Sequence, residues 1–188
     1  CMEKGADYIG WDERRRAYAN QTGPVRRGIG MAIFCYKTGV YPISLETASA
    51  RMILNQDGSI QVQLGATEIG QGADTVFSQM AAQTTGISFE HVYIVSTQDT
   101  DTAPFDTGAY ASRQTYVSGM AVKKCGEALK ARILDYASFM LDGRPVDELD
   151  VDHDVVIEKE TGKELIDMPT LAVTAFYSLE RSEHITAE

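Results

Sequence analysis

Residues 52–64 admit few local structures. Met52-Ile53-Leu54 is followed by Asp57-Gly58 and then by the strict alternation Ile60-Gln61-Val62-Gln63-Leu64. Aspartate-glycine reaches the positive φ angles that hairpin turns demand, and alternation puts every second side chain on one face. The stretch therefore predicts a β-hairpin with one buried side. The second strand runs directly into a glycine-rich loop, Gly65-Ala66-Thr67-Glu68-Ile69-Gly70-Gln71-Gly72. Beyond it, apolar or small residues at Ala73, Val76, Phe77, Met80, Ala81 and Thr84 follow i, i+3, i+4, i+7 spacing, which predicts a helix over 73–85 that Gly86 stops.

The rest of the chain reads around that unit. A charged helix over 2–20, with Tyr8, Ile9, Trp11 and Tyr18 on a partly buried face, breaks at Thr22-Gly23-Pro24. Strands are expected over 28–36 and 50–56, with Gly39 and Pro42 marking an irregular connection, and at Val92-Tyr93-Ile94-Val95. A loop over 97–112, rich in Thr, Asp, Gly and Pro, is long for a compact domain, and such loops are usually functional or disordered. Val117, Met120, Ala121, Cys125, Leu129, Ile133, Tyr136 and Met140 then mark one side of a helix over 113–141. Short strands at Val155-Val156-Ile157 and Leu165-Ile166 precede a helix near Pro169. This order implies an α+β fold, a two-layer sheet packed against helices, rather than a doubly wound parallel sheet. Residues 1–26 read as a peripheral helix and linker, 27–146 as the ligand-binding domain, and 147–188 as further strands and a helix.

Composition narrows the function classes. With 44% hydrophobic and 23% charged residues the chain should fold rather than stay disordered. A net charge of −10, with Arg14-Arg15-Arg16 and Arg26-Arg27 the dense basic runs, argues against nucleic acid. No apolar run is long enough to span a bilayer and no signal-peptide layout opens the chain, so it reads as soluble and cytoplasmic. Cys1, Cys35 and Cys125 offer no C-x-x-C pair, and His91, His153 and His184 no H-x-x-x-H spacing, so a metal held by protein side chains has little support. A start at Cys1 and a polar last stretch suggest a piece of a longer polypeptide.

Strand, glycine loop, helix is an anion-site layout, because glycines let a ligand approach the backbone and the first helical turn presents N–H groups with the positive end of the helix dipole. The Gln71 amide adds donors and an acceptor. The loop lacks the lysine of a P-loop and the spacing of a dinucleotide fingerprint. On glycine content alone, a tight turn with Asp74 complementing the helix N-terminus explains it equally well. The second loop, Gln98 to Gln114, also feeds a helix through small residues and a hydroxyl. Set side by side, the two helix entries could converge on one extended anion, with Arg113 as a phosphate ligand and Ser112 as a hydroxyl donor. Otherwise Ser112 is an N-cap and Arg113 a solvated first-turn residue.

The first loop resembles the G-x-T-E-x-G-Q-G stretch of the molybdenum-binding large subunit of xanthine dehydrogenase and aldehyde oxidase type hydroxylases. Asp99-Thr100-Asp101-Thr102-Ala103-Pro104 through Gly108-Ala109-Tyr110-Ala111-Ser112-Arg113 is similar to that family's next segment, in the right order. The resemblance implies a molybdenum cofactor-binding domain. It would hold molybdopterin, in the cytosine dinucleotide form, with Gly70, Gln71, Gly72 and Ala73 around the pterin and phosphate. Ser112, Arg113 and Gln114 would hold the phosphate side, and the Ala111 main chain would lie beside the molybdenum, whose ligands are the pterin's own sulfurs. The implied reaction hydroxylates an N-heterocycle or aldehyde with oxygen from water. Implied partners are the rest of the molybdenum subunit, iron–sulfur and FAD subunits, and a small-molecule substrate, in an oligomer. The family's base lies in a G-E-P stretch that does not occur here. Gly126-Glu127-Ala128 falls within the predicted long helix, and Glu68 is the other carboxylate at a ligand loop, so no catalytic residue is named. Residues 34–42 align loosely with a pocket segment of the family, or form a strand end and turn. A different class of reading is a noncatalytic phosphate- or nucleotide-binding assembly module.

Overall fold

The first twenty residues fold as two short helices, α1 (Met2–Tyr8) and α2 (Trp11–Ala17), rather than one, because Gly10 between them adopts φ 63°. The computed structural model describes residues 1–44, 46–95 and 99–188, which divide into compact units over 1–36 and 37–188. The first unit buries no residue, and the Gln21 amide brackets the Arg27 backbone, donating to its carbonyl at 2.6 Å and accepting its N–H at 2.8 Å. The strand expected over 28–36 does not form. Its apolar residues suit a strand, but the backbone there joins no described β-ladder, and Ile33, Phe34 and Tyr36 are exposed.

In the second unit the hairpin forms where the alternation places it. β1 (Ala50–Leu54) and β2 (Ile60–Leu64) pair antiparallel with Met52 opposite Val62 and Leu54 opposite Ile60. Gly58 takes φ 83° and donates to the Asn55 carbonyl, while Asp57 accepts from the Ser59 N–H and hydroxyl. These contacts close a tight turn with a left-handed residue. α3 (Ala73–Thr85) follows the glycine loop over the range its periodicity gives, and carries the chain across to β3 (Val92–Val95), which pairs parallel with β2.

The expected long helix begins as a single π turn, Gln114–Ser118, before becoming α4 (Gly119–Met140). α3 and α4 approach closely where glycine allows it. A Cβ on Gly119 would lie 2.7 Å from Met80 Cε, and one on Gly126 would lie 3.0 Å from Thr84 Cβ. A second sheet contains β4 (Leu149–Asp152), β5 (Val155–Glu158) and β6 (Glu164–Asp167), all antiparallel. α5 (Met168–Tyr177) starts with Asp167 accepting the Thr170 N–H at 2.9 Å and proline in its first turn. β7 (Thr186–Ala187) then returns to pair with β1, giving the first sheet the order β3-β2-β1-β7.

One apolar core joins these layers. Met52, Leu54, Ile60 and Val62 from the sheet meet Phe77 and Ala81 of α3 and Leu129 and Ile133 of α4, and the second sheet and α5 add Val151, Val156 and Leu171. The α+β expectation of sheets packed against helices holds. The expected strand over 50–56 ends at Leu54, and β4 and β7 were not anticipated. Among the described residues no helix is long and apolar enough to cross a membrane.

Candidate functional site

The first loop is organised around its own carboxylate. Glu68 Oε1 accepts the N–H groups of Gly70 at 2.6 Å and Gly72 at 3.1 Å, and Oε2 accepts that of Asp74 at 3.1 Å. Gly72, at the N-cap of α3 with φ 82°, supplies no side-chain cap, so Glu68 reaches forward and supplies the negative charge that a helix N-terminus attracts. The amides that favoured a phosphate there in the sequence reading are thus donating within the loop. The Asp74 amide, above all, holds the Glu68 carboxyl below the usual carboxylate range. Asp74 was the residue expected to complement the helix. Instead its Oδ1 is buried with no protein partner, and burial first, then the Glu68 charge, pushes its carboxyl upward.

This arrangement carries a pH signature. The folded Glu68 value is depressed, so the stabilisation is fully present above the unfolded carboxylate value of roughly 4.3. It is lost as pH falls through the lower folded value. Glu68→Ala should speed hydrogen exchange of the Gly70, Gly72 and Asp74 amides by about tenfold, the size of one net hydrogen bond, with Glu68→Gln between mutant and wild type. In the wild type the same amides should lose protection as pH falls through the depressed folded value, after correction for intrinsic exchange. Unchanged exchange in Glu68→Ala would show that the loop holds itself without the carboxylate.

The second loop lies against the first. The Gln71 amide donates to the Gln114 side-chain oxygen, both amides donate to the Thr67 carbonyl at 3.0 Å, and Gln71 Oε1 accepts the Ile69 N–H at 2.7 Å. Gly65 makes this closeness possible, since a Cβ there would sit 2.1 Å from the Pro104 carbonyl oxygen. The structure therefore brings Thr67 and Gln71 of the first loop onto Gln114 of the second, with Gly70, Gly72 and Ala73 flanking Gln71 in the chain. Gln98, where the second loop was taken to begin, lies outside the described residues.

Ala111 and Ser112 adopt φ 48° and 51°, a left-handed pair that costs L-residues roughly 1–2 kcal/mol each. Ala111 is buried, Ser112 is exposed, and Arg113 and Gln114 are buried again. Ser112 is thus exposed between two buried neighbours, with the exposed Tyr110 at the start of the same turn. The structure gives Arg113 neither the phosphate role nor the solvated one. All three guanidinium nitrogens donate inward, Nε to Glu46 at 2.6 Å, Nη1 to Asp106 at 2.5 Å and to the Gly108 carbonyl at 2.8 Å, and Nη2 to the Thr47 carbonyl at 2.6 Å. Arg113 holds the Glu46 carboxyl below its ordinary range. The Gly39 N–H donates to the Ala111 carbonyl at 2.6 Å, which joins part of the loosely aligned 34–42 segment to this turn.

Outward, the first loop leaves open space over two of its glycines. Gly70 and Gly72 have φ 94° and 82°, and a Cβ on either would meet nothing within 4 Å. Gln71 is exposed between them, whereas Ala73 is buried. Glu127 is a helix-surface residue paired with Lys123. Sequence reasoning missed Glu46 and Asp106 as the partners of Arg113. It also missed the carboxylate of Glu68 as the loop's organiser, which an acid two residues before Gly70 and four before Gly72 could have signalled.

Residues 4–187 match the molybdopterin cofactor-binding domain family. Over all 188 residues the chain is 45% identical to the xanthine dehydrogenase molybdenum-binding subunit of Escherichia coli O157:H7, covering 25% of that protein. Its fold is similar to that of CO dehydrogenase from Oligotropha carboxidovorans, with a TM-score of 0.66 and 28% identity over 76% of this chain and 18% of that one. Quinoline 2-oxidoreductase from Pseudomonas putida 86 shares the fold, with a TM-score of 0.67 and 18% identity over 77% of this chain and 19% of that one. The chain spans about a quarter of the length of the xanthine dehydrogenase subunits it matches.

Proposed function

The chain belongs to the molybdopterin cofactor-binding domain family, and from that premise we propose that its two interlocked loops hold the molybdenum cofactor of a xanthine dehydrogenase-like hydroxylase. The observation that carries the reading is the join between Gln71 and Gln114, which makes one surface of loops 43 residues apart in sequence. The residues fit such a group. Open backbone at Gly70 and Gly72 admits a flat ring system, Gln71 and the Ser112 hydroxyl offer exposed polar contacts, and the orphaned Asp74 oxygen is an acceptor for a ligand donor. Ala73, Arg113 and Gln114 contribute through main chain or by fixing the turn, and the Ala111 main chain is assigned to the metal end. Both loops lie within 27–146, the stretch assigned to cofactor holding, while 147–188 completes the core beneath through β7.

When bound, the cofactor supplies two-electron oxidation chemistry for hydroxylating an N-heterocycle or aldehyde with oxygen from water. The chain's own residues bind and orient it. Glu68 is occupied with three loop amides, so its part is to shape the loop, and the catalytic base is assigned to polypeptide outside this chain. Iron–sulfur and FAD subunits as electron carriers, the cytosine dinucleotide form, an oligomeric assembly and a cytoplasmic location complete the proposal. The test is chemical analysis of the full-length subunit. Stoichiometric molybdenum, oxidised pterin fluorescence and release of a cytosine nucleotide are expected. Tight nucleotide binding with neither pterin nor molybdenum would make this a noncatalytic binding module instead.

A further inference from the structure

Arg113 is the largest fully buried side chain among the described residues, and the proposed cofactor contacts do not use its guanidinium. A cation out of water persists only where its donors are met and its charge is opposed, and a buried ionic network is weak evidence for stability as such. What it fixes is direction, because a planar guanidinium fork constrains every group it binds. The Asp106 side chain is fully buried too. It accepts from Arg113 and the Gly108 N–H on one oxygen and from the Ser118 hydroxyl on the other, and its backbone bridges to Ala48. Glu46 accepts from Arg113 on one oxygen and from the Val40 N–H on the other. The network therefore ties the segment before β1, the second loop and the π turn to one point. That point adjoins the left-handed pair Ala111 and Ser112, and it lies on the same stretch of chain as Gln114.

We propose that Arg113, held between Glu46 and Asp106, is a positioning residue that locks Ala111 and Ser112 in their left-handed conformation and so sets where the turn meets the cofactor. This rests on the reading of the two loops as a molybdopterin site. Neither the Glu46 nor the Arg113 side chain touches the cofactor in this scheme. Lysine at 113 would keep the charge but cannot reach two carboxylates and two carbonyls at once. Glutamine at 46 would keep an acceptor and lose the charge.

The test uses the full-length subunit carrying Arg113→Lys or Glu46→Gln, with Gly86→Ala as a control destabilised away from the loops. Pterin and molybdenum per folded subunit, the line shape of the Mo(V) resonance and the melting temperature are measured together. Arg113→Lys should lower cofactor content by about tenfold, as loss of a supporting contact around a metal group typically does. The residual Mo(V) signal should change shape, and Glu46→Gln should fall between. If Arg113→Lys does not fold, Glu46→Gln decides by the same readouts. Wild-type content with an unchanged line shape in the variants overturns the positioning role alone, and so does equal cofactor loss in Gly86→Ala. A wild-type subunit without pterin overturns the cofactor reading and this inference with it.

Discussion

Gly65→Ala should drive the two loops apart and strip the site of its cofactor. The added methyl would lie 2.1 Å from the Pro104 carbonyl oxygen and 2.8 Å from both the Cβ and the backbone nitrogen of Asp106. Those are rigid neighbours, since Asp106 is held by Arg113, by Ser118 and by its bridge to Ala48. Either β2 or the second loop must shift, and overpacking of this kind costs roughly 1–3 kcal/mol or more. The functional loss should exceed the stability loss. Separation breaks the hydrogen bonds from Gln71 to Gln114 and from Gln114 to the Thr67 carbonyl that make the loops one surface. We expect at least about a tenfold fall in molybdenum and pterin per subunit, because displacement of a supporting contact around a metal site has that scale. Full-length Gly65→Ala subunit with wild-type cofactor content would show that loop closeness is incidental.

Gly86→Ala should do the reverse, costing stability and sparing the site. Gly86 ends α3 with φ 84°, and a Cβ there would lie 2.0 Å from the Val151 carbonyl oxygen and 2.6 Å from its carbon. The clash adds to the left-handed penalty of roughly 1–2 kcal/mol for an L side chain. Together these should cost about 3 kcal/mol or more, the overpacking term included, and lower the melting temperature by roughly 5 °C or more. The contact joins the end of α3 to β4, not the glycine loop at the start of α3. Molecules that remain folded should therefore keep their cofactor. Melting like the wild type would mean that β4 gives way to the methyl.

The parts of the fold that were legible depend on contacts close in sequence. The hairpin followed from alternation and Asp57-Gly58, α3 from apolar spacing and its two flanking glycines, and α5 from Pro169 in a first turn. The strand assignment over 28–36 failed because composition shows what suits a ladder and not whether a partner stands beside it. β7 is two residues long and exists through pairing with β1, so no local pattern announces it. The site shows the same division. The glycine loop and the turn at Ala111 to Gln114 were readable as motifs, but the environment of Arg113 was not. Its partners Glu46 and Thr47 come from 67 and 66 residues away, and polar loops more often leave a guanidinium in water. Glu68 was passed over for a simpler reason, since Asp74 stood closer to the helix start.

The pairing of β7 with β1 bears on biosynthesis. Ile53 and Met52 are matched to Thr186 and Ala187, more than a hundred residues later in synthesis. Until that stretch emerges from the ribosome, the outer edge of β1 has its hydrogen-bonding groups unmet and only Arg51 as a charge along it. An open edge of that kind templates strand addition by other nascent chains, so a two-residue strand acts as the seal against aggregation.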